Sequence, residues 1–449
     1  MNCCCRMGRM TLAFSVFAKI LRMDFQPNTV TLNTLLKGLC LSGMLDKALL
    51  FHDKLLAHGF QFDQVTYATL INGFCKTGLT TAAIQLLRKI PQYGIVPDVF
   101  MYSAIIDSLC KDTLVSHAFH FYSEMLSKGI SPDVISYTTL IHGLCLVGQL
   151  KEAIDLLNHM MLKNISPDVL TYSTLIDGLC KEGNIKDAKS VLAIMTKDGV
   201  KPDVVTYNSL MDGYCLVNKV HKAKHVFYRM AQSGVAPDVW SFNIMVNGLC
   251  KIDMVDEALN LFEEMHHKNL VPDTITYNTL INGLCKINMV DEVLNLLEEM
   301  HHKNLVPDTV TYSTLIDGLC KIRRISCALK LLEMMQDRGQ YANTITYSSL
   351  LDGMLKNQQL DKALVLYSQM NQHGIIPDIY TYSIFIDGLC KNGRLQNAIE
   401  IFHDLSIRGY DPNVRTYYIM INGLCKAGLI YEHWLSCQKW KTMVAYQML

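Results

Sequence analysis

Residues 271–286 read VPDTITYNTLINGLCK, and residues 306–321 read VPDTVTYSTLIDGLCK. The two strings lie 35 residues apart. The same wording returns in phase as SPDVLTYSTLIDGLCK at residues 166–181 and as IPDIYTYSIFIDGLCK at residues 376–391. A fixed period of this length marks a repeat architecture, in which stacked units share one continuous core. It overrides the roughly three globular domains that a chain of 449 residues would otherwise suggest.

Counted from Thr29, eleven complete 35-residue repeats run to Asn413 without insertion or deletion. Residues 1–28 read as a partial repeat whose first residues are missing. Residues 414–449 read as a degenerate repeat, which begins VRTYYIMINGLCKAG and leaves the pattern after about Ile430. Each repeat predicts two helices. In the repeat from Thr274, Tyr277, Leu280, Ile281 and Leu284 share one helical face. Thr276 or Asp273 can cap the first turn, and Lys286 suits the negative end of the helix dipole. Val290, Val293, Leu294, Leu297 and Met300 form the face of a second helix. That helix must end before Pro307, because proline disfavours helical angles in the residue ahead of it. Ten of the 11 prolines hold the next-to-last place of a repeat, and only Pro91 does not. A glycine column running from Gly38 to Gly423 lies mid-helix, where glycine costs about 1 kcal/mol relative to alanine. A cost of that kind predicts close helix–helix approach. Neither helix can bury its apolar face alone. The expected fold class is therefore all-α, an α-solenoid superhelix of stacked antiparallel helix pairs, expected to be right-handed.

With 41 basic and 41 acidic residues, net charge points to no polyanionic partner, so any electrostatic argument rests on local placement. No run reaches the ~18 apolar residues of a membrane span. Twelve of the 16 cysteines occupy one 35-residue column, from Cys5 and Cys40 to Cys390 and Cys425. They read as small buried hydrophobes. No C-x-x-C pair occurs, which argues against zinc, and unpaired thiols suit a reducing compartment. Residues 1–23 carry Arg6, Arg9, Lys19 and Arg22 and no acid, in the manner of a mitochondrial presequence. Their register, with Cys5 in the cysteine column, favours the partial repeat, and a presequence would then lie upstream.

Proline, the Thr-Tyr pair, Gly-Leu-Cys-Lys and the 35-residue period together resemble the pentatricopeptide repeat family, from residue 1 to about Ile430. The rival tetratricopeptide repeat has a 34-residue period and a tryptophan signature, whereas the three tryptophans here share no column. Uniform 35-residue units look like the pure (P) class of the family. The wording is similar to its restorer-of-fertility-like branch in plants. The resemblance implies single-stranded RNA binding at about one base per repeat, in mitochondria or else plastids. It also implies that a repeat's fifth and last residues choose the base and its second residue packs against it.

The fifth places carry Asn33, Ala68, Ser103, Thr138, Ser173, Asn208, Asn243, Asn278, Ser313, Ser348 and Ser383. All but Ala68 are small polar residues able to meet a base edge. The last places carry Asp63, Asp98, Asp133, Asp168, Asp203, Asp238, Asp273, Asp308, Asn343, Asp378 and Asn413. The second places carry Val30, Val65, Phe100, Ile135, Leu170, Val205, Trp240, Ile275, Val310, Ile345 and Tyr380. Without the family, the last-place acids could be helix caps alone and the second places plain packing. By the family's pairing rules Asn with Asp favours uracil, Thr or Ser with Asp guanine, and Ser with Asn adenine. Read in parallel, the repeats then predict U-?-G-G-G-U-U-U-A-G-A, with the Ala68 and Asp98 repeat unassigned. Lys76, Lys111, Lys181, Lys251, Lys286, Lys321, Lys356, Lys391 and Lys426 form a further column. It reads either as dipole complementation or as a row of phosphate contacts. If about half served phosphates, log affinity would fall against log salt with a slope of roughly −3.

No catalytic constellation is legible. A deaminase-like H-x-E with C-x-x-C and a Gly-rich phosphate loop are both missing. His266-His267 and His301-His302 read as solvated surface rather than metal ligands. The sequence thus predicts a non-enzymatic, cofactor-free monomer that binds single-stranded RNA by occupancy. A nuclease or another protein factor could be recruited, and no membrane is involved. A protein-binding scaffold or a truncated, non-functional fragment is the alternative.

Overall fold

The computed structural model describes residues 1–23, 25–303 and 305–428. The end of the degenerate repeat, residues 429–449, lies outside them. All regular structure among the described residues is helical. The chain divides into two compact units, Met1–Ala236 and Pro237–Leu449.

Within each unit the repeats between Thr29 and Asn413 are each a pair of helices, most of them 13 residues long. The repeat at residues 274–308 is representative, with helices Thr274–Lys286 and Val290–His302. Inside a unit, the first helix of one repeat packs against the first helix of the next, so first helices form a continuous layer. Second helices pack against the first helix of their own repeat and, less extensively, that of the next. Residues 1–23 follow suit. Helix Asn2–Arg6 packs on Thr29–Leu41, and helix Met10–Arg22 takes the place of a second helix.

The fourth-place aromatics Tyr102, Tyr172, Tyr277, Tyr312 and Tyr382 are fully buried, and so is Phe242. The glycine column is a contact, as its recurrent cost predicted. A Cβ on Gly283 would meet Cys250 Sγ at 2.5 Å, and one on Gly318 would meet Cys285 Sγ at 2.3 Å. The cysteine column therefore fills the gap that the next repeat's glycine leaves. Burial pushes its thiols up, to about 12 at Cys110, Cys180 and Cys320. Pro91, the one proline off its column, coincides with a break. The second helix there stops at Lys89, and Ile90–Tyr93 continues as a 3-10 turn, because proline has no N–H for the helical ladder and its ring clashes with the preceding turn.

Candidate nucleic-acid interface

Each first helix begins with a last-place residue of the repeat before it. The side chains of Asp63, Asp98, Asp133, Asp168, Asp203, Asp238, Asp273, Asp308, Asn343, Asp378 and Asn413 all accept the backbone N–H three residues on. The choice between Thr276 and Asp273 as cap resolves into both. Asp273 accepts from the Thr276 amide at 2.9 Å and from its hydroxyl at 2.9 Å, while the Asp273 amide donates back to that hydroxyl at 3.2 Å. Capping is thus real, and it pins one carboxylate oxygen in a fixed place beside the repeat boundary.

The fifth-place residue of the preceding repeat joins the same cluster. Across repeat boundaries the hydroxyl pairs Ser103–Ser136, Thr138–Thr171, Ser173–Thr206, Ser313–Thr346, Ser348–Thr381 and Ser383–Thr416 lie 2.6–2.9 Å apart. At two of the fifth-place asparagines, Asn33 and Asn243, the side chain bridges two partners. Asn243 accepts from Thr276 at 2.6 Å and donates to Asp273 at 3.1 Å. Asn33 does the same with Thr66 and Asp63. Burial opposes the charge on Asp63, but the Thr66 hydroxyl and amide and the Asn33 amide outweigh it and hold its carboxyl below the usual range. The partner in every case is the third residue of the next repeat, a Thr or Ser that is fully buried. The sequence singles out this residue only as a possible cap, as at Thr276, and not as the partner of the fifth place. Its signal was the constant Thr of the Thr-Tyr pair.

Two repeats depart from the pattern. Asn278 Oδ1 is buried with no partner among the described residues. Ala68 stands opposite a repeat whose third place is Met101 instead of a hydroxyl residue, and the Asp98 carboxylate accepts the Met101 N–H, at 3.0 Å, with no hydroxyl beside it in that place. A cavity of about 540 Å³ opens there, lined by Lys37, Val65, Ala68, Lys76, Asp98 and Phe100 among others. Asn208 is buried on its helix.

All eleven second-place side chains are exposed, from 48% at Phe100 to 71% at Val30. Two residues further along, the fourth-place side chain is buried in ten of these helices, as Leu32 in the first and as an aromatic ring in the others, and half-buried at Tyr207, so the second places take no part in the core. The lysines of the thirteenth place are exposed as well. Five of them pair with an aspartate one turn earlier, as Lys321 does with Asp317 at 2.6 Å.

The sequence profile of the PPR repeat family matches twelve overlapping segments from residues 1–41 to residues 385–426. The chain belongs to the PPR repeat family. A putative pentatricopeptide repeat-containing protein of Arabidopsis thaliana, named as mitochondrial, is 43% identical over 47 residues. That stretch is 10% of this chain and 8% of the relative's length, so the match spans only a small part of it. The crystal structure of the pentatricopeptide repeat protein PPR10 from maize has the same fold, with a TM-score of 0.57 at 20% identity over 99% of this chain and 73% of that one. PPR10 has also been solved in complex with an 18-nt psaJ RNA element, and that form gives a TM-score of 0.45 at 18% identity over 99% of this chain and 84% of that one. Among the described residues of this PPR chain, no three His, Cys, Asp or Glu side chains form a group that could hold a metal. No described helix is long and apolar enough to cross a membrane.

Proposed function

We propose that this PPR chain binds single-stranded RNA in a sequence-selective way, at about one base per repeat, and controls an organellar transcript by occupying it. The observation that carries this reading is the hydrogen-bonded cluster of fifth, last and next-third residues, with an exposed apolar side chain in every repeat. An exposed apolar or aromatic residue offers a face on which a base can stack. The cluster fixes which donors and acceptors remain for the base edge.

Hydroxyl accounting makes this concrete. In the Ser313 repeat the Thr346 hydroxyl donates to Asn343 Oδ1. The proton between Ser313 and Thr346 must then come from Ser313. Ser313 is left as an acceptor and the Asn343 amide as a donor, which complements the N6–H and N1 of adenine. In the Thr138 repeat the Thr171 hydroxyl donates to Asp168, so Thr138 and the carboxylate are both acceptors. Guanine offers two adjacent N–H donors to such a pair. In the Asn243 repeat Thr276 and Asp273 use one amide hydrogen and the amide oxygen. One Asn N–H and one carboxylate oxygen remain, a donor and an acceptor that suit a carbonyl and the N3–H of uracil. The chemistry gives the same three assignments as the family's pairing rules.

The relative's name supports a mitochondrial site of action, and PPR10 in complex with RNA is in keeping with an RNA partner. The test is binding of U-N-G-G-G-U-U-U-A-G-A, with N an equal mixture of the four bases, against a scrambled 11-mer at moderate salt. Tighter binding of the first is expected. Equal affinity for both would overturn the reading.

A further inference from the structure

The lysine column divides by its neighbour. We infer that the ninth residue of each repeat decides whether the thirteenth-place lysine is open to an RNA phosphate: asparagine opens it and aspartate closes it. The inference rests on the RNA-binding reading above and concerns how the backbone is gripped.

Lys111, Lys181, Lys321, Lys356 and Lys391 each meet a ninth-place carboxylate on their own helix, Asp107, Asp177, Asp317, Asp352 and Asp387, at 2.6–2.7 Å. The ninth places before Lys76, Lys251, Lys286 and Lys426 hold Asn72, Asn247, Asn282 and Asn422. These four lysines make no ion pair among the described residues. The sorting has no exception in the column.

Exposed pairs one turn apart are weak, so a phosphate could pull such a lysine away. What the aspartate changes is the local charge. A phosphate approaching an Asp–Lys pair meets both signs at similar range, whereas an Asn–Lys pair presents a full positive charge. Screening over about 8 Å at physiological salt restricts the field to a repeat and its neighbours. Asp317, Lys321, Asp352, Lys356, Asp387 and Lys391 form an alternating series along three successive repeats. The bond from Asp352 raises the pKa of Lys356, and Asp317 of the preceding repeat adds to it. Lys181 is raised in the same way by Asp177. The two repeats that precede this series carry Asn247, Lys251, Asn282 and Lys286, two cations with no acid in either place. The cationic grip in this part of the chain therefore falls on the Asn243 and Asn278 repeats, and the Ser313, Ser348 and Ser383 repeats read a base over a neutral edge.

The experiment measures affinity over a salt series for the full chain, with the 11-mer extended by two uridines at each end. Four open lysines give a wild-type slope of about −2.8 in log affinity against log salt, at −0.7 per phosphate. Lys251→Ala with Lys286→Ala is expected to flatten the slope by about 1.4. Lys321→Ala with Lys356→Ala and Lys391→Ala should leave it unchanged. Asp317→Asn with Asp352→Asn and Asp387→Asn should steepen it by about 2.1 and tighten binding at low salt. Circular dichroism controls for folding at these exposed sites. Equal flattening per lysine in the two alanine sets, or no steepening in the asparagine set, overturns the inference. No RNA binding by the wild type would instead refute the RNA-binding reading itself.

Discussion

Ser313 Oγ and Thr346 Oγ1 lie 2.7 Å apart across a repeat boundary, and Thr346 donates onward to Asn343 at 3.0 Å. The equivalent place one repeat earlier holds Asn278 with Asp308. The helices around the two sites are near copies: residues 274–286 and 309–321 differ only at Ile275/Val310, Asn278/Ser313 and Asn282/Asp317. Changing Ser313→Asn together with Asn343→Asp installs the Asn–Asp pair of the Asn243 and Asn278 repeats while keeping Thr346 and the capping role. The preferred base opposite that repeat should move from adenine to uracil, with about 1–3 kcal/mol of discrimination, by analogy with side-chain readout of base edges. Binding of 11-mers varied only at the ninth base measures it. An unchanged preference would mean that the pair is structural.

The glycine column gives a prediction whose sign separates packing from propensity. Helix propensity alone says Gly283→Ala should stabilise by about 1 kcal/mol. The new Cβ would lie 2.5 Å from Cys250 Sγ and 2.9 Å from its Cβ. Overpacking of that kind costs about 1–3 kcal/mol, so net destabilisation is expected in urea denaturation. Cys250→Ala in the same chain removes the nearer atom and should recover part of the loss.

Much of the fold was legible because the repeat states it eleven times. Pro307 and its equivalents marked where second helices end, and the glycine column marked where neighbouring repeats touch. The candidate interface was only half legible. Asn243 and Asp273 could be singled out as variable polar places, but their bridge through Thr276 runs between residues 33 apart in sequence. A constant Thr carries no sign of its partner. The pairing of Lys321 with Asp317 was within reach, since carboxylate and lysine one turn apart attract on a helix. The column of lysines drew the reading away from the residue four places before it.

The cysteines make a reactivity prediction. The thiolate is the nucleophile, and burial pushes the thiols of Cys180 and Cys320 up to about 12 and that of Cys285 up to about 11. Cys3, Cys327 and Cys425 are exposed. Cys425, the last member of the column, is thus exposed where the sequence predicts burial, and brief iodoacetamide treatment of the folded chain at pH 8 should label these three well ahead of Cys180, Cys285 and Cys320. Peptide mass spectrometry would show it, and early labelling of Cys180 or Cys320 would refute the packed column.

Glu124 supplies a pH dependence. Burial works against its charge, but Arg88, Lys128 and Tyr102 all donate to it, and together they bring its pKa from 4.5 down to about 2. A depressed folded-state pKa adds stability that is complete above the unfolded value and is lost as pH falls through the folded one. Glu124→Gln should therefore cost about 1–3 kcal/mol at pH 7, as hydrogen bonds to a charged group do. The gap from wild type should close between about pH 4.5 and pH 2 in chemical denaturation.

The turn between the two helices of a repeat offers the opposite of the Gly283 case. Its fifteenth place has a positive φ throughout, with glycine in several repeats but Arg323 at 66° and Gln358 at 58°. A side chain with a Cβ pays in strain there, while glycine is the favoured residue just past a helix end. Glycine also loses more chain entropy on folding, which offsets part of the gain. Arg323→Gly should still stabilise the chain, by roughly 0.5–1 kcal/mol. Arg323→Val, β-branched and poorly suited to that region, should destabilise it by a larger amount. Urea midpoints for the two variants must fall on opposite sides of wild type, and a shift in the same direction would show that backbone strain does not govern this turn.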